Sequence, residues 1–348
     1  MDYFLIFLGL TWAASLMVKT AVVILNYNGV QHLQRFLPSV TQYSGDCQII
    51  IIDNHSSDSS IDFLKQNYPK IRVIRLARNY GYSGGYNRGL KEISAENYIL
   101  LNSDVEVTPG WVGNLIQHMQ DHPQVAICQP KILSLQYPNH FDYAGAAGGF
   151  VDILGYPFCR GRVFNHLEED RGQYDTDLPI FWASGACFVI RSQVFHELGG
   201  FDEDFFAHME EIDLCWRSHR AGYKASCVSS SMVLHLGGGT LKDTNPLKTY
   251  LNFRNGLQLL VKNCSVLDLL WKIPVRILLD LLASLVFLSR GSFKHALAVL
   301  KAEFFFLIKL PNTWSRRAQW NHYNGGLYPK LIVWEYFVKG RKTFDKLA

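Results

Sequence analysis

The chain repeatedly places carboxylates and amides where an apolar run stops. "AVVILN" (21–26), "QIIIIDN" (48–54), "NYILLNSD" (97–104) and "KASCVSSSMVLH" (224–235) end on or beside Asn26, Asp53, Asn54, Asn102, Asp104 and His235. A buried carboxylate needs a partner, and for Asp53 a base imide N–H or a ribose hydroxyl would serve. Asp104 offers hard oxygens to Mg²⁺ or Mn²⁺, ions held by few protein carboxylates together with substrate phosphates. Glu106 stands two residues further on. His235 precedes a glycine run and can reach a metal or a diphosphate, unless it is a structural imidazole.

Other groups carry two readings each. In "DNHSSDSS" (53–60), Ser57 or Asp58 suits the N-cap of a following helix. "RNYGYSGGYNRGL" (78–90) is glycine-rich and leads into a helix, but its G-x-x-G-G-x-x-x-G spacing after the third strand is not the dinucleotide fingerprint. Its glycines either make a tight turn or let a ligand approach the backbone, with phosphate favoured at the helix N-terminus. "HMEEIDLCWR" (208–217) sets Glu210, Glu211 and Asp213 at a helix start, where acidic residues also suit the macrodipole. "YLNFRNG" (250–256) adds Arg254 and Asn255, the guanidinium being suited to phosphate.

The elements that must position these groups follow from periodicity. Apolar runs at 21–25, 48–53, 71–76 and 97–101 alternate with helical stretches at 30–40, 61–68 and 82–93. Continuous apolar strands between helices predict a parallel sheet covered on both faces. Ligands of such sheets sit beyond the carboxyl ends of the strands, which brings Asn26, Asp53, Asn79 and Asp104 to one rim. After about residue 125 the pattern loosens into longer mixed strands, with strands expected over 181–190 and 224–235 and helices through 209–222 and 247–263.

Charge divides the chain. Residues 263–348 hold 13 Lys/Arg and 5 Asp/Glu, or +8, which leaves −4 of the net +4 for residues 1–262. In this basic tail the segments 267–290 and 293–310 are too apolar for ordinary surface helices, yet Pro274, Arg276 and Asp280 interrupt the first. Two amphipathic helices lying in a membrane interface fit this pattern, the alternative being a cap on the main domain or a dimer contact. The basic residues alternate with aliphatic runs, which argues against nucleic acid. Seven cysteines without a C-x-x-C pair read as reduced core residues of a cytosolic protein, with neither a disulfide framework nor a zinc site. Residues 1–17 are apolar, short for a span and without a basic start, and read as an upstream start or a small hydrophobic anchor.

Residues 20 to about 262 resemble an inverting family-2 glycosyltransferase of the GT-A fold, in the bacterial rhamnosyltransferase-like branch. "VVILNYNG", "IIIDNHSSDSS", "NYGYSGGYNRG", "LLNSDVEV", "GACFVIRSQVFHELGGFDEDFFAHMEEIDLCWR", "HLGGGT" and "RNG" occur in the family's order. The resemblance implies a Rossmann-like mixed sheet over residues 18–262, followed by a helical, membrane-associating region over 263–348. It makes Asp53 the carboxylate at the nucleotide base, with Asn26 and Asn28 lining the same pocket and Asn54 and Asn79 beside it. Gly84, Gly85 and Asn87 fall in the segment at the nucleotide-sugar. Asn102-Ser103-Asp104 fills the D-x-D slot, with Asn102 where many relatives carry Asp. Asp104 then resembles the metal ligand, with Glu106 and His235 as further candidates, and Arg254 a phosphate contact. Glu210-Glu211 fills the Glu-Asp slot, making Glu211 the base; Asp213 either continues that motif or is structural.

The implied reaction moves a sugar from a nucleoside diphosphate, such as dTDP-rhamnose or a UDP-sugar, to an acceptor hydroxyl with inversion. The implied cofactor is Mg²⁺ or Mn²⁺, and the implied acceptor a cell-surface glycan or lipid-linked glycan, met by a protein peripheral on the inner face of the cell membrane. Two alternatives share parts of the pattern: a nucleotidyltransferase, and a non-catalytic sugar-nucleotide-binding protein at the membrane. Release of nucleoside diphosphate, pyrophosphate or neither distinguishes the three.

Overall fold

The computed structural model describes residues 18–237, 245–317 and 325–347; residues 1–17, on which the anchor expectation falls, lie outside them. The chain opens as β1 (Val18–Asn26), α1 (Val30–Tyr43), β2 (Gln48–Asp53), α2 (Ser60–Asn67), β3 (Arg72–Arg75), α3 (Gly81–Gly89) and β4 (Ala95–Leu101). It continues through β5 (Val105–Val107), α4 (Trp111–Asp121) and β6 (Val125–Ser134). A small antiparallel sheet follows, of β7 (Gly149–Val151), β8 (Pro157–Cys159), β9 (Arg162–Val163) and β10 (His166–Leu167). Then come β11 (Leu178–Ile180), β12 (Cys187–Arg191), α5 (Ser192–Glu197), α6 (Glu210–Arg220) and β13 (Lys224–His235). Four helices finish the chain: α7 (Pro246–Asn263), α8 (Val266–Ser289), α9 (Phe293–Ser315) and α10 (Ile332–Phe337).

The main sheet runs β3-β2-β1-β4-β12-β6-β13-β11, with β5 paired to β13. Strands β3, β2, β1 and β4 are parallel, and β12 enters antiparallel to both β4 and β6. Register fixes the rim: Asn26 lies opposite Asp53, and Ile24 opposite Leu101, so the three chain exits stand side by side. Both faces are buried, as the unbroken apolar runs require. Val22, Ile24, Ile51 and Ile99 pack beneath α1 and α4, while Ala21, Val23, Ile50 and Ile52 face Tyr86, Leu90 and Trp216.

The strand expected over 181–190 begins only at Cys187. Before it, the backbone bonds with side chains in place of a ladder. The Ala183 N–H donates to Cys215 Sγ, the Ser184 N–H to Gln129 Oε1 (2.9 Å), and the Ala186 N–H to Ser184 Oγ (3.1 Å). Those bonds shape a fixed corner at Gly185-Ala186, beside the site described below.

The tail helices α8 and α9 pack on α7, α8 with polar residues inward and α9 with a mainly small and apolar face. Along α8, Lys272, Arg276, Asp280 and Ser284 are buried at a four-residue period, while Leu267, Leu270, Leu278 and Leu285 are 78, 71, 58 and 59% exposed. Arg276 donates to Asp280 Oδ1 (3.2 Å) and to Leu154 O (2.9 Å) and stacks on Tyr156, tying the helix to the main body. Among the described residues no helix is long and apolar enough to cross a membrane.

Candidate active site

At the β1–β2 exit, Asn26 and Asp53 are fully buried. Asn26 Nδ2 donates to Asp53 Oδ1 (3.4 Å) and Ser56 Oγ (3.1 Å), and the Ser56 N–H donates to Asp53 Oδ2 (3.2 Å). Asn26 Oδ1 has no partner, and a Cβ at Gly29 would stand only 2.5 Å from it. Asn28, at φ 50°, accepts from the N–H groups of Ser57 (2.7 Å) and Asp58 (3.3 Å). Asp58 does not cap its own helix in the expected way. It accepts from Val30 N–H and Ser60 N–H, both at 3.0 Å, and so serves the first turns of α1 and α2 together.

Asn54 and Asn79 act as a pair. Asn54 Nδ2 donates to Asn79 Oδ1 (2.9 Å) and to Gly81 O (3.0 Å), and its Oδ1 accepts from Tyr80 N–H (2.9 Å). Asn79 Oδ1 also accepts from Gly81 N–H (2.8 Å). These bonds satisfy the opening of α3, whose first donors would otherwise be orphaned.

The glycine-rich segment departs from the expectation of a ligand loop. Gly84 and Gly85 lie inside α3 and are buried. A Cβ on Gly85 would stand 2.7 Å from Leu25, one on Gly84 would crowd Tyr80 and Glu203, and one on Gly89 would overlap Ile52. Gly85 and Gly89 let the helix settle on the sheet. Asn87 faces another way too. Its amide exchanges hydrogen bonds with Phe201 N–H (2.9 Å) and Phe201 O (2.8 Å). It lines a cleft of about 830 Å³ with Lys91, His196, Asp202, Lys262 and Arg316, which no rim residue borders.

Antiparallel pairing of β5 with β13 sets Val105 opposite His235 and so brings Asp104 to the imidazole. His235 Nε2 is 3.3 Å from Asp104 Oδ1, and Nδ1 is 2.9 Å from Asp142 Oδ1; all three groups are buried. Burial pushes the Asp104 carboxyl up, but the hydrogen bond and charge of His235 override it and hold the group below its ordinary range. Burial pushes His235 down, yet the two carboxylates carry it up to about 10. A metal at Asp104 Oδ1 and His235 Nε2 would leave Asp142 fixing the other ring nitrogen, the usual arrangement behind a ligating histidine. Among the described residues no three His, Cys, Asp or Glu converge on one point. One carboxylate and one imidazole match a cation that draws most of its shell from diphosphate and water. Glu106 is not part of this cluster: it lies opposite Leu234 in the β5–β13 pair. Asn102 is partly exposed, and its backbone N–H donates to Ala186 O (2.9 Å).

Glu210 and Glu211 open α6 after a contorted approach. Phe206, His208 and Met209 have φ of 66, 68 and 75°, a region that costs an L-residue about 1–2 kcal/mol. Each glutamate keeps one carboxylate oxygen without a partner. Burial raises Glu211 to about 7, partly offset by N–H groups of Glu211, Ile212, Gly185 and Met209. Burial and the charge of Glu211 push Glu210 well above the ordinary carboxylate range. Glu211 abuts the Gly185 corner, where Tyr82 Oη donates to Gly185 O (3.0 Å) and a Cβ would press on Tyr82. Neither Gly185 nor Asp142 stood out in the sequence, because each is brought to the site by irregular chain, and Tyr82 reaches it only through the packing of α3.

Two motif residues have structural tasks. Asp213 is fully buried between Arg217 (2.8 Å), Lys262 (2.9 Å) and Asn263 (2.9 Å), binding α6 to α7. Burial opposes its charge, but Arg217 and Lys262 take it down to about 2. Arg254, expected at a phosphate, is turned into the protein: Nη2 donates to Asp204 O (3.0 Å), Phe205 O (3.2 Å) and Asn255 Oδ1 (2.7 Å).

The site is continuous. The Gly185-Ala186 corner touches Glu211 on one side and Asn102 on the other. Ser103 Oγ in turn lies near Gly29, beside Asn26. A ligand along this rim meets the buried Asp53 end first, the Asp104–His235 pair next, and Glu211 at the far side.

Comparison with known proteins bears on the family and the fold. Over 233 residues the chain is 28% identical to the N-acetylglucosaminyl-diphospho-decaprenol L-rhamnosyltransferase of Mycobacterium tuberculosis, covering 62% of this chain and 75% of that one. It is 25% identical over 245 residues to the low-salt glycan biosynthesis hexosyltransferase Agl10 of Haloferax volcanii, covering 68 and 73%. A mannosyltransferase from Pyrobaculum calidifontis, solved with GDP-Man and Mn²⁺, superposes with a TM-score of 0.51 at 12% identity, over 84% of this chain and 88% of that one. GalNAc-T7, solved with UDP, GalNAc and Mn²⁺, gives 0.56 at 17% identity, over 72 and 49%. The fold is thus the GT-A fold. The sequence model of glycosyl transferase family 2 matches residues 21–199, just over half of the chain, and the chain belongs to glycosyltransferase family 2.

Proposed function

We propose that this chain is a metal-assisted, inverting transferase that moves a sugar from dTDP-rhamnose or a UDP-sugar to a hydroxyl of a cell-surface or lipid-linked glycan. The observation that carries this reading is the single rim on which the Asp53, Asp104–His235 and Glu211 groups stand in order. Asn26 Oδ1 and the Asp53 carboxylate accept hydrogen bonds from the base or ribose. Asp104 and His235 hold Mg²⁺ or Mn²⁺, which when bound neutralises the leaving diphosphate. Glu211 takes the acceptor proton, and a carboxyl raised to about 7 is well matched to that task near neutral pH. Mixing the protein with Mn²⁺, a panel of nucleotide sugars and glycan acceptors tests the assignment. Nucleoside diphosphate release with sugar transfer supports it; pyrophosphate release from a nucleoside triphosphate favours a nucleotidyltransferase. No loss of activity in excess chelator removes the metal from the scheme.

The region from 263 onward is assigned to the inner face of the membrane. The exposed faces of α8 and α9 are apolar, with Leu267, Leu270, Phe293, Phe304 and Ile308 all more than half exposed. Part of the tail's charge is already paired within the protein: buried Arg276 with Asp280, and the more exposed Arg316 with Asp202 and Lys339 and Arg341 with Glu335. Attachment is therefore mainly hydrophobic, and salt weakens only the remaining electrostatic part. Full-length protein should float with both neutral phosphatidylcholine and anionic phosphatidylglycerol vesicles, and stay with them in high salt. Protein that remains in solution with both vesicle types refutes the surface.

A further inference from the structure

Among the described residues, three of the seven non-glycine residues with left-handed φ fall within four positions, at Phe206, His208 and Met209, directly before α6. Such a path persists only when its surroundings over-determine it. One amide meets three carbonyls of this path. Asn255, fully buried on α7, directs its Nδ2 at the carbonyls of Phe205 (2.9 Å), Ala207 (3.0 Å) and His208 (2.8 Å). Its Oδ1 is held by Arg254, whose Nε and Nη2 donate to it at 2.9 and 2.7 Å. A guanidinium can only donate, so the amide cannot turn over, and its NH₂ must face the loop. The neighbouring Gly256 keeps α7 close, since a Cβ there would stand 2.7 Å from Arg276 Nη2.

One bond of this set reaches the reacting end. In a trans peptide the C=O and N–H point in opposite directions, and no cis bond occurs among the described residues. With His208 O fixed on Asn255, the Met209 N–H of the same peptide is turned the other way, towards the Glu211 carboxylate, whose charged form it favours.

We propose that Asn255, locked by Arg254, is a positioning residue that orients the His208–Met209 peptide and thereby aims Glu211 at the acceptor. The proposal rests on the reading of Glu211 as the base. It reassigns Arg254 from donor phosphate to the support of the loop.

A double-mutant cycle on the full chain tests it. Turnover is followed as UDP or dTDP release during hydrolysis of a UDP-sugar or dTDP-rhamnose, with water standing in for the acceptor hydroxyl. UDP and dTDP binding in Mn²⁺ is measured separately by calorimetry. Asn255→Ala should lower kcat by about 10–100-fold with donor KM and diphosphate Kd within about threefold, as for a group acting only in the transition state. On a Glu211→Gln background the same change should cost less than about threefold, because residues acting as one unit are not additive. Arg254→Lys should shift kcat the same way by a smaller factor. Should Asn255→Ala not fold, Arg254→Lys, which keeps its charge and most of its volume, carries the cycle. Equal losses on both backgrounds, an unchanged kcat, or weakened diphosphate binding by Arg254→Lys each overturn the proposal. Near-normal turnover by Glu211→Gln alone overturns instead the assignment of the base.

Discussion

The two ends of the rim are built in opposite ways. The Asn26–Asp53 end sits on regular parallel strands, and apart from Asn26 Oδ1 its polar groups are bonded to their immediate neighbours: Asp53 to Asn26 and Ser56, Asn54 to Asn79 and Tyr80. The Glu211 end follows a loop with three left-handed residues, supported from behind by α7 and carrying unpartnered carboxylate oxygens. A bonded, strand-borne end suits a task that is the same before and during reaction, which is holding a nucleotide. A strained, desolvated end suits a group whose proton affinity must be set by its surroundings. The difference teaches where binding and rate should separate.

That separation is most exposed at Glu211. Glu211→Gln should lower kcat by about 10²–10⁴-fold with donor KM nearly unchanged, since the amide keeps the shape but takes no proton. Glu211→Asp should retain activity, and Glu210→Gln should be far milder than Glu211→Gln. In the native protein kcat should fall as pH drops through about 7, where Glu211 takes up its proton. A pH-rate profile flat from 5 to 8, or a dead Glu210→Gln beside an active Glu211→Gln, breaks the comparison.

Between the ends, Asp104→Asn should affect binding and rate together. Turnover should drop by about 10²–10³-fold, the scale of losing one charge-stabilising group, and calorimetry should show weaker UDP or dTDP binding in Mn²⁺. Equal binding with and without the metal would detach Asp104 from the donor. At the strand-borne end, Asp53→Asn should raise donor KM by about 10–100-fold, the equivalent of a hydrogen bond to a charged group, and leave kcat alone. A loss confined to kcat would erase the distinction between the two ends.

How far the sequence could reveal this arrangement depended on the kind of backbone. Asn26, Asp53 and Asp104 were legible because apolar strands stop at them, and parallel register then places strand ends together without further information. Gly84, Gly85 and Asn87 were read towards the ligand, but a helix presents its residues all round. Only the packing of α3 shows that Gly85 meets Leu25 of the sheet, while Gly84 meets Tyr80, Arg88 and Glu203. Asp142 lies 93 residues before His235 in irregular chain, where no periodicity marks it. The polar stripe at 272, 276, 280 and 284 is visible in the sequence as a four-residue repeat, but not its direction. That it faces inward depends on Leu154, Tyr156 and Gly256, far away in the chain.

The smallest effect concerns stability, and it follows from the same desolvation that tunes the base. A glutamate carboxyl ionises near 4.3 in an unfolded chain and at about 7 at Glu211 in the folded protein. Between those values the folded state holds a proton that the unfolded state has released, so stability falls as pH rises through that window. Glutamine has no proton to lose and escapes the fall. Glu211→Gln should therefore match the native protein at pH 4 and exceed it at pH 8 by on the order of 1–3 kcal/mol. It also removes a charge that pushes Glu210 up, which adds in the same direction. Urea midpoints at the two pH values measure the gain. An inactive variant that is also more stable at pH 8 ties the strain at this end of the rim to function. A variant with no gain at pH 8 would mean that water already solvates the Glu211 carboxylate, and the contrast with the Asp53 end would then rest on backbone geometry alone.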